Sequence, residues 1–341
     1  YKSTLTNDEL EELVSKTKEL KEYQDAPSSQ EELEKIPMLE LSDIKREPAK
    51  DYNDVKSVDG IKIVHHNIFT NKIAYINLSF DTKCVPDELI PYMGLLGSTL
   101  SLMDTKNYTY PELTNEININ CGALATGTAL YSDKVDFSKN TIVYEVKSKA
   151  LYEKVPFVLG MMEEIMYNTR FDDYKRLKEI IARIKSRLEA SLMGQGHSIA
   201  MLECCAQFSE SAYYSDILRG YKYYEFIKKL DEEFEQNKTQ IVEKLNMLVG
   251  YIFNKDNVII SLTADDEGYD CFTKALSAKS CNIKDEHFNT AVRSFTPVNV
   301  KTGYTSASQV QYVARCGNFR DGGYEYTGAL RVLKVIFSYD Y

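Results

Sequence analysis

The segment LIPYMGLLGSTLSLM, residues 89–103, comes soon after an alternating segment, AYINLSF, residues 74–80. In the alternating segment Ala74, Ile76, Leu78 and Phe80 take turns with Tyr75, Asn77 and Ser79, the pattern of a strand with one buried face. Residues 89–103 read instead as an apolar helix, with Pro91 tolerable only in its first turn. Tyr92, Leu95 and Leu96 stand at i, i+3 and i+4 and so share one helix face. That spacing is how a helix presents three ligand-type side chains to one metal. Here the positions hold a phenol and two isobutyl groups, so the chain is expected to be built like an enzyme without the residues that do the chemistry.

Working outward, Gly60–Thr70 and Ile73–Phe80, separated by Asn71-Lys72, read as a hairpin. Tyr110–Asn118 reads as a helix, and Gly122–Tyr131 and Thr141–Lys147 as strands. Val155–Tyr167 is apolar nearly all round, as expected of a helix lodged against a sheet. Phe171–Leu192 carries Leu177, Ile181, Ile184 and Leu188 on one face, with Lys175, Arg176, Lys178, Arg183 and Lys185 around the other. Further helices are expected at Ile199–Gln207, Tyr221–Phe234, Gln236–Phe253 and Cys271–Ser277, and a short buried strand at Val258–Leu262.

At the front, Thr6 and Glu9 have capping-box spacing, and Leu10, Leu13, Val14 and Leu20 make a narrow stripe on a helix running to about Gln24. Ser28 or Ser29 can cap a short second helix. The first ~50 residues therefore read as a helical arm or linker without an independent core. Lys279–Thr302 is polar and contains Pro297, which suggests a second linker. Beyond it, Gln309–Cys316 reads as a strand and Tyr326–Tyr339 as a helix. Strands and helices come in groups, with no strict βαβ alternation, which predicts an α+β fold with helices packed on a largely antiparallel mixed sheet.

The 341 residues carry a net charge of −10. That balance argues against a nucleic-acid surface, which needs clustered Lys and Arg. No apolar run reaches the ~18–20 residues of a membrane span, and there is no signal peptide. The seven cysteines are scattered, with no C-x-x-C, and read as reduced thiols in a cytosol-like compartment. A start at Tyr1 and an end at Tyr341 within apparent structure suggest a piece of a longer chain.

None of the four histidines, His65, His66, His197 and His287, lies in H-E-x-x-H or H-x-x-E-H. His65 and His66 are adjacent in a strand and point to opposite faces, so they cannot chelate together. His197 and Cys204 lie about 10 Å apart along a helix. There is no G-x-S-x-G, and Gly194-Gln195-Gly196 reads as a helix end, not a phosphate loop. Glu163-Glu164 and Asp172-Asp173 are expected at helix surfaces or starts. The basic face of 171–192 is expected to be solvated or internally paired, or else to meet an acidic partner. Tyr213-Tyr214 and Tyr221–Tyr224 are expected to pack in the core or line a groove. No catalytic, metal-binding or substrate-binding residue emerges.

Five segments together resemble the presequence protease and falcilysin branch of the pitrilysin/insulinase metallopeptidases: LTNDELEELVSKTKELKEYQDAPSSQEELEKIPMLELSDI (5–44), HNIFTNKIAYINLSFD (66–81), VPDELIPYMGLLGSTLSLMDTKNYTYPELTNEI (85–117), GHSIAMLECCAQFSESAYYSDILRGYKYYEFIKKLDEEF (196–234) and YEYTGALRVLKVIF (324–337). The resemblance is to the C-terminal, non-catalytic half and covers essentially the whole chain. It implies an insulinase-type fold like that of LuxS and the mitochondrial processing peptidase, with four similar domains in two halves closing like a clamshell on unfolded peptides. Zinc would be held by an inverted H-x-x-E-H helix in the other half, so the cofactor belongs to the full-length parent and not to this chain.

If the halves are repeats, Tyr92, Leu95 and Leu96 match the first His, the Glu and the second His: degenerate zinc-helix positions. The Arg and Tyr that this half of the family supplies to substrate would lie beyond Tyr341; Arg331 and Tyr339 do not match them. The same mapping makes residues 1–50 the end of the linker hairpin, 51–285 the third domain, and 286–341 the truncated start of the fourth. The implied partners are the N-terminal catalytic half of the same polypeptide and unfolded peptides, with neither nucleic acid nor membrane. The implied setting is a bacterial cytoplasm, or alternatively a mitochondrial matrix or other organelle. A scaffold or peptide-binding protein of the same fold, without zinc in either half, is the alternative.

Overall fold

A computed structural model describes residues 5–48, 53–136, 139–278, 281–305 and 310–339. The chain divides into two compact units, Tyr1–Asp51 and Tyr52–Tyr341. In the first, helix α1 (Asn7–Asp25) is entered through the anticipated box: Glu9 N–H donates to the Thr6 hydroxyl and Thr6 N–H to the Glu9 carboxylate. Helix α2 (Gln30–Leu33) starts the same way on Ser29 and Glu32. Neither helix buries a residue. Local capping is what shapes this unit, since tertiary packing contributes little.

The second unit is built on six strands: β1 (Asp54–Val58), β2 (Ile61–Asn67), β3 (Ile73–Asp81), β4 (Ala123–Ser132), β5 (Asn140–Leu151) and β6 (Val258–Ala264), in the order β1-β2-β6-β3-β5-β4. Of the strand pairs in this sheet, only β2–β6 is parallel. The fold is thus α+β on a mixed, mostly antiparallel sheet, as the grouping of elements predicts. One expectation fails: β2 and β3 do not form a hairpin, because β6 lies between them. The true hairpin is β1–β2, turning at Asp59 and Gly60, whose φ values of 50° and 79° are those of the tight turn that matches strand twist. Asn71 and Lys72 also have positive φ; the turn they make leads back to β3 past the width of one strand.

Ten helices follow the first unit's two: α3 (Ile90–Thr99), α4 (Tyr110–Asn120), α5 (Val155–Tyr167), α6 (Tyr174–Gly194), α7 (Gly196–Ala206), α8 (Glu210–Arg219), α9 (Tyr221–Glu232), α10 (Phe234–Ile252), α11 (Asp266–Ser277) and α12 (Gly328–Tyr339) among the described residues. A single core joins Ile63, Leu78, Phe80, Tyr144, Ile260 and Leu262 of the sheet to Leu95, Met162, Ile165, Leu248 and Phe272 of the helices. Phe253, just past α10, sets its ring edge against Phe80 and Tyr144 at centroid distances of 5.2 and 5.5 Å, the preferred aromatic geometry.

After α11 the chain runs extended over this core. Asn282 N–H donates to Glu163, Ala291 N–H to the Lys83 carbonyl and Val298 N–H to the Gln207 carbonyl. The Arg293 guanidinium donates to the carbonyls of Thr82 and Val85. The expected strand Gln309–Cys316 is not formed over 310–316, and Gln309 lies outside the described residues. A strand needs a neighbouring strand to take up its backbone groups, and among the described residues the six-stranded sheet gives it none.

Candidate functional site

Helix α3 is where the sequence places the question of chemistry. A turn at Asp87–Leu89 leads into it, and Pro91 occupies its first turn, where its missing N–H leaves no hydrogen bond unmade. Leu95 and Leu96 are fully buried. Tyr92 is nearly so: the Lys244 ammonium of α10 donates to its hydroxyl at 3.2 Å, and the Phe226 ring of α9 meets it edge-on at 4.8 Å. The three positions therefore form one packing face against neighbouring helices. Zinc needs imidazole, thiolate or carboxylate donors. A phenol bonded to an ammonium and two isobutyl groups do not fit it.

Asp256, Asp285 and His287 form the sole group of three potential ligands among the described residues, and all three are exposed. His287 bonds Asp256, and that hydrogen bond raises the imidazole pKa. The result is a surface ion pair, with a ring that prefers its proton to a metal.

His65 and His66 do point to opposite faces. Buried His65 contacts the Ala264 carbonyl at 2.9 Å and the Lys56 ammonium at 3.2 Å, while His66 bonds the Ser261 hydroxyl at 3.1 Å. Both are satisfied polar groups of the β2–β6 seam. His197 lies near Tyr312, ring centroids 6.1 Å apart. The seven cysteines are all free of disulfides. Cys316 meets Cys204 and Cys205, and burial first, then those neighbouring thiols, push its own up to about 12.

Asp173 caps α6 by accepting from Arg176 N–H at 3.0 Å, as a carboxylate at a helix start should. Glu164 departs from the expected solvated role, being buried. It accepts from the Asn107 backbone and side-chain amides and from Asn168. Burial works to raise its pKa, but hydrogen bonds from Thr105, Asn168 and Asn107 outweigh that and hold it below the usual value. It therefore acts as a buried clamp on the loop after α3.

A second buried acid pair has no counterpart in the sequence reading. Glu203 of α7 and Asp216 of α8 face each other, with Asp216 fully buried and the Lys222 ammonium 3.5 Å from it. Burial, then the Asp216 carboxylate, raises the pKa of Glu203, while Tyr304 donates to it at 3.3 Å. The two acids are far apart in the chain, and no periodic pattern links them. Their contact ties α7 to α8.

The sequence profile for the domain associated with subfamily C of peptidase family M16 matches residues 1–230. The chain belongs to that family. It is 34% identical over 340 residues to Protein HypA of Clostridium perfringens, covering 100% of this chain and 35% of that protein. To presequence protease 1, chloroplastic/mitochondrial, of Arabidopsis thaliana it is 27% identical over 336 residues, covering 97% of this chain and 31% of that protein. The chain thus spans about a third of the length of the curated relatives it matches. A crystal structure of the peptidase M16 inactive domain from Pseudomonas fluorescens aligns with a TM-score of 0.43 at 13% identity, over 70% of this chain and 53% of that one. The chain corresponds to the associated, non-catalytic part of presequence-protease-type proteins.

Proposed function

We propose that this chain is the C-terminal wall of a clamshell chamber in a zinc-dependent endopeptidase that degrades unfolded peptides. The zinc and the general base would belong to the N-terminal half of the same polypeptide. Residues 1–50 would end the connecting hairpin, 51–285 form the third domain, and 286–341 open the fourth. A bacterial cytoplasm is the setting we assign, in keeping with the free thiols and the bacterial relative. The observation that carries this reading is α3: its ligand-spaced positions Tyr92, Leu95 and Leu96 are packed as core, so the helix keeps a structural role without the chemistry.

The test compares the chain of residues 1–341 with the longer polypeptide that carries it. The shorter chain is expected to hold no stoichiometric zinc by elemental analysis and to leave an unstructured peptide uncut, whereas the longer one cleaves it until EDTA is added. Hydrolysis by the shorter chain that EDTA stops would overturn the assignment. A longer polypeptide without H-x-x-E-H and without activity would point instead to a peptide-binding scaffold.

A further inference from the structure

The face of α3 turned away from Tyr92, Leu95 and Leu96 carries Gly94, Gly97 and Ser98, with Ser101 just past the helix end, and it opens on a cavity of about 540 Å3. Strand β4 and helices α6, α8 and α9 complete the walls. The volume falls in the range of small-molecule sites, roughly 300–1,000 Å3. Its charge is one-sided. Arg183 and Arg187 reach it from successive turns of α6, and a third arginine, Arg219, comes from the last turn of α8.

No Asp or Glu lines the cavity, although the whole chain carries −10. The acids near this face of α6 are spoken for: Glu179 pairs with Arg176, and Glu189 accepts from Tyr224. None of the three arginines has an ion pair or hydrogen bond with a described residue, in contrast to Arg170 and Arg176. Like charges one helical turn apart disfavour the helix that carries them. A cluster of this kind is relieved by an anion that enters from outside.

The interior adds donors and an apolar floor. The Tyr223 side chain is 4% exposed and lines the cavity. Its buried hydroxyl faces that of Ser98 but makes no hydrogen bond of normal geometry. A Cβ at Gly94 would stand 2.8 Å from the Tyr223 ring, so this glycine is what lets the ring lie against α3. The hydroxyls of Ser98 and Thr126 donate to the Gly94 and Gly97 carbonyls, which fixes the wall. Ile184 and Leu218, both buried, supply the floor.

We propose that this cavity binds a phosphate monoester with a small apolar body. The phosphate would be held by Arg183, Arg187 and Arg219 and take a hydrogen bond from Tyr223, with the body over Ile184 and Leu218. Such a phosphate carries close to two negative charges at neutral pH and three acceptor oxygens, which guanidinium forks bind in pairs. One carboxylate would leave most of the rim unneutralised. A buried phenol without a well-placed partner suits a fixed oxyanion better than bulk water does.

Calorimetric titration at fixed ionic strength, with phenyl phosphate as probe, tests the assignment. Saturable 1:1 binding is expected, about tenfold tighter than that of inorganic phosphate, phthalate or an oligoglutamate peptide. Arg183→Gln combined with Arg187→Gln should weaken it at least about tenfold, and Tyr223→Phe by a smaller factor. Arg170→Gln, outside the cavity, should leave it unchanged. All of these variants change exposed charges or one hydroxyl, and thermal unfolding checks that they fold. Equal affinity in the double arginine variant, no saturation, or tighter binding of phthalate or oligoglutamate would each overturn the proposal. Inorganic phosphate binding as tightly as its phenyl ester would overturn the part played by the apolar floor.

Discussion

Leu95 and Leu96 show how a ligand position becomes a packing position: both are wholly buried, with nothing polar to satisfy. Leu95→Ala should therefore lower stability by about 2–5 kcal/mol, the range for emptying a closed core site, read as a fall in the urea midpoint. A loss under about 1 kcal/mol would mean that the site is looser than its burial implies. Glu203 supports a second prediction. Its folded pKa is raised above the ordinary 4.5 by burial and by Asp216, so the folded state holds a proton that the unfolded state releases. Stability from this group is complete below the unfolded pKa and is lost as pH climbs through the folded one. Glu203→Gln removes that loss, so its stability relative to the native protein should be greater at about pH 8 than at about pH 4. Parallel pH profiles would contradict this. At this scale the sequence shows which side chains cannot bind metal, because donor chemistry is written in residue type. It hides Glu203–Asp216 and the arginine cavity, because both are made by helices that meet only in the fold.

Periodicity serves well for long elements. Val155–Tyr167 is α5 to the residue, and the capping box at Thr6 opens α1 where its spacing predicts. The failures have local causes. Strand β1 has just two valines and sits at an exposed edge, too little pattern to register. Helix α8 is obscured by its tyrosines, Tyr213 and Tyr214, of which Tyr214 is buried. The basic face of 171–192 turns out divided: Lys178 and Lys185 pair with Glu235 and Asp231, while Arg183 stays open. Helix α12 exposes Val332, Leu333, Val335, Ile336 and Phe337. Its 12 residues are marginal for a helix without packing. Its amides should exchange within seconds in this chain and become protected in the longer polypeptide proposed above; slow exchange in the shorter chain would show that α12 holds itself together.

For the molecule as a whole, grouped strands and helices predict the α+β class, whereas the strand order stays hidden until distant segments are in place. His66 of β2 and Ser261 of β6, which bond across the parallel seam, are 195 residues apart. Synthesis at roughly 5–20 residues per second puts about 10–40 s between the emergence of the two strands. Throughout that interval β2 and β3 each present a bare edge, and the slot between them is the width of one strand. Any extended peptide could sit there, including a neighbouring nascent chain. The parallel seam is thus the last part of the sheet to close and the place where a ribosome-bound chain is most open to mispairing, so this family's core depends on guarding an unfinished gap as well as on filling it.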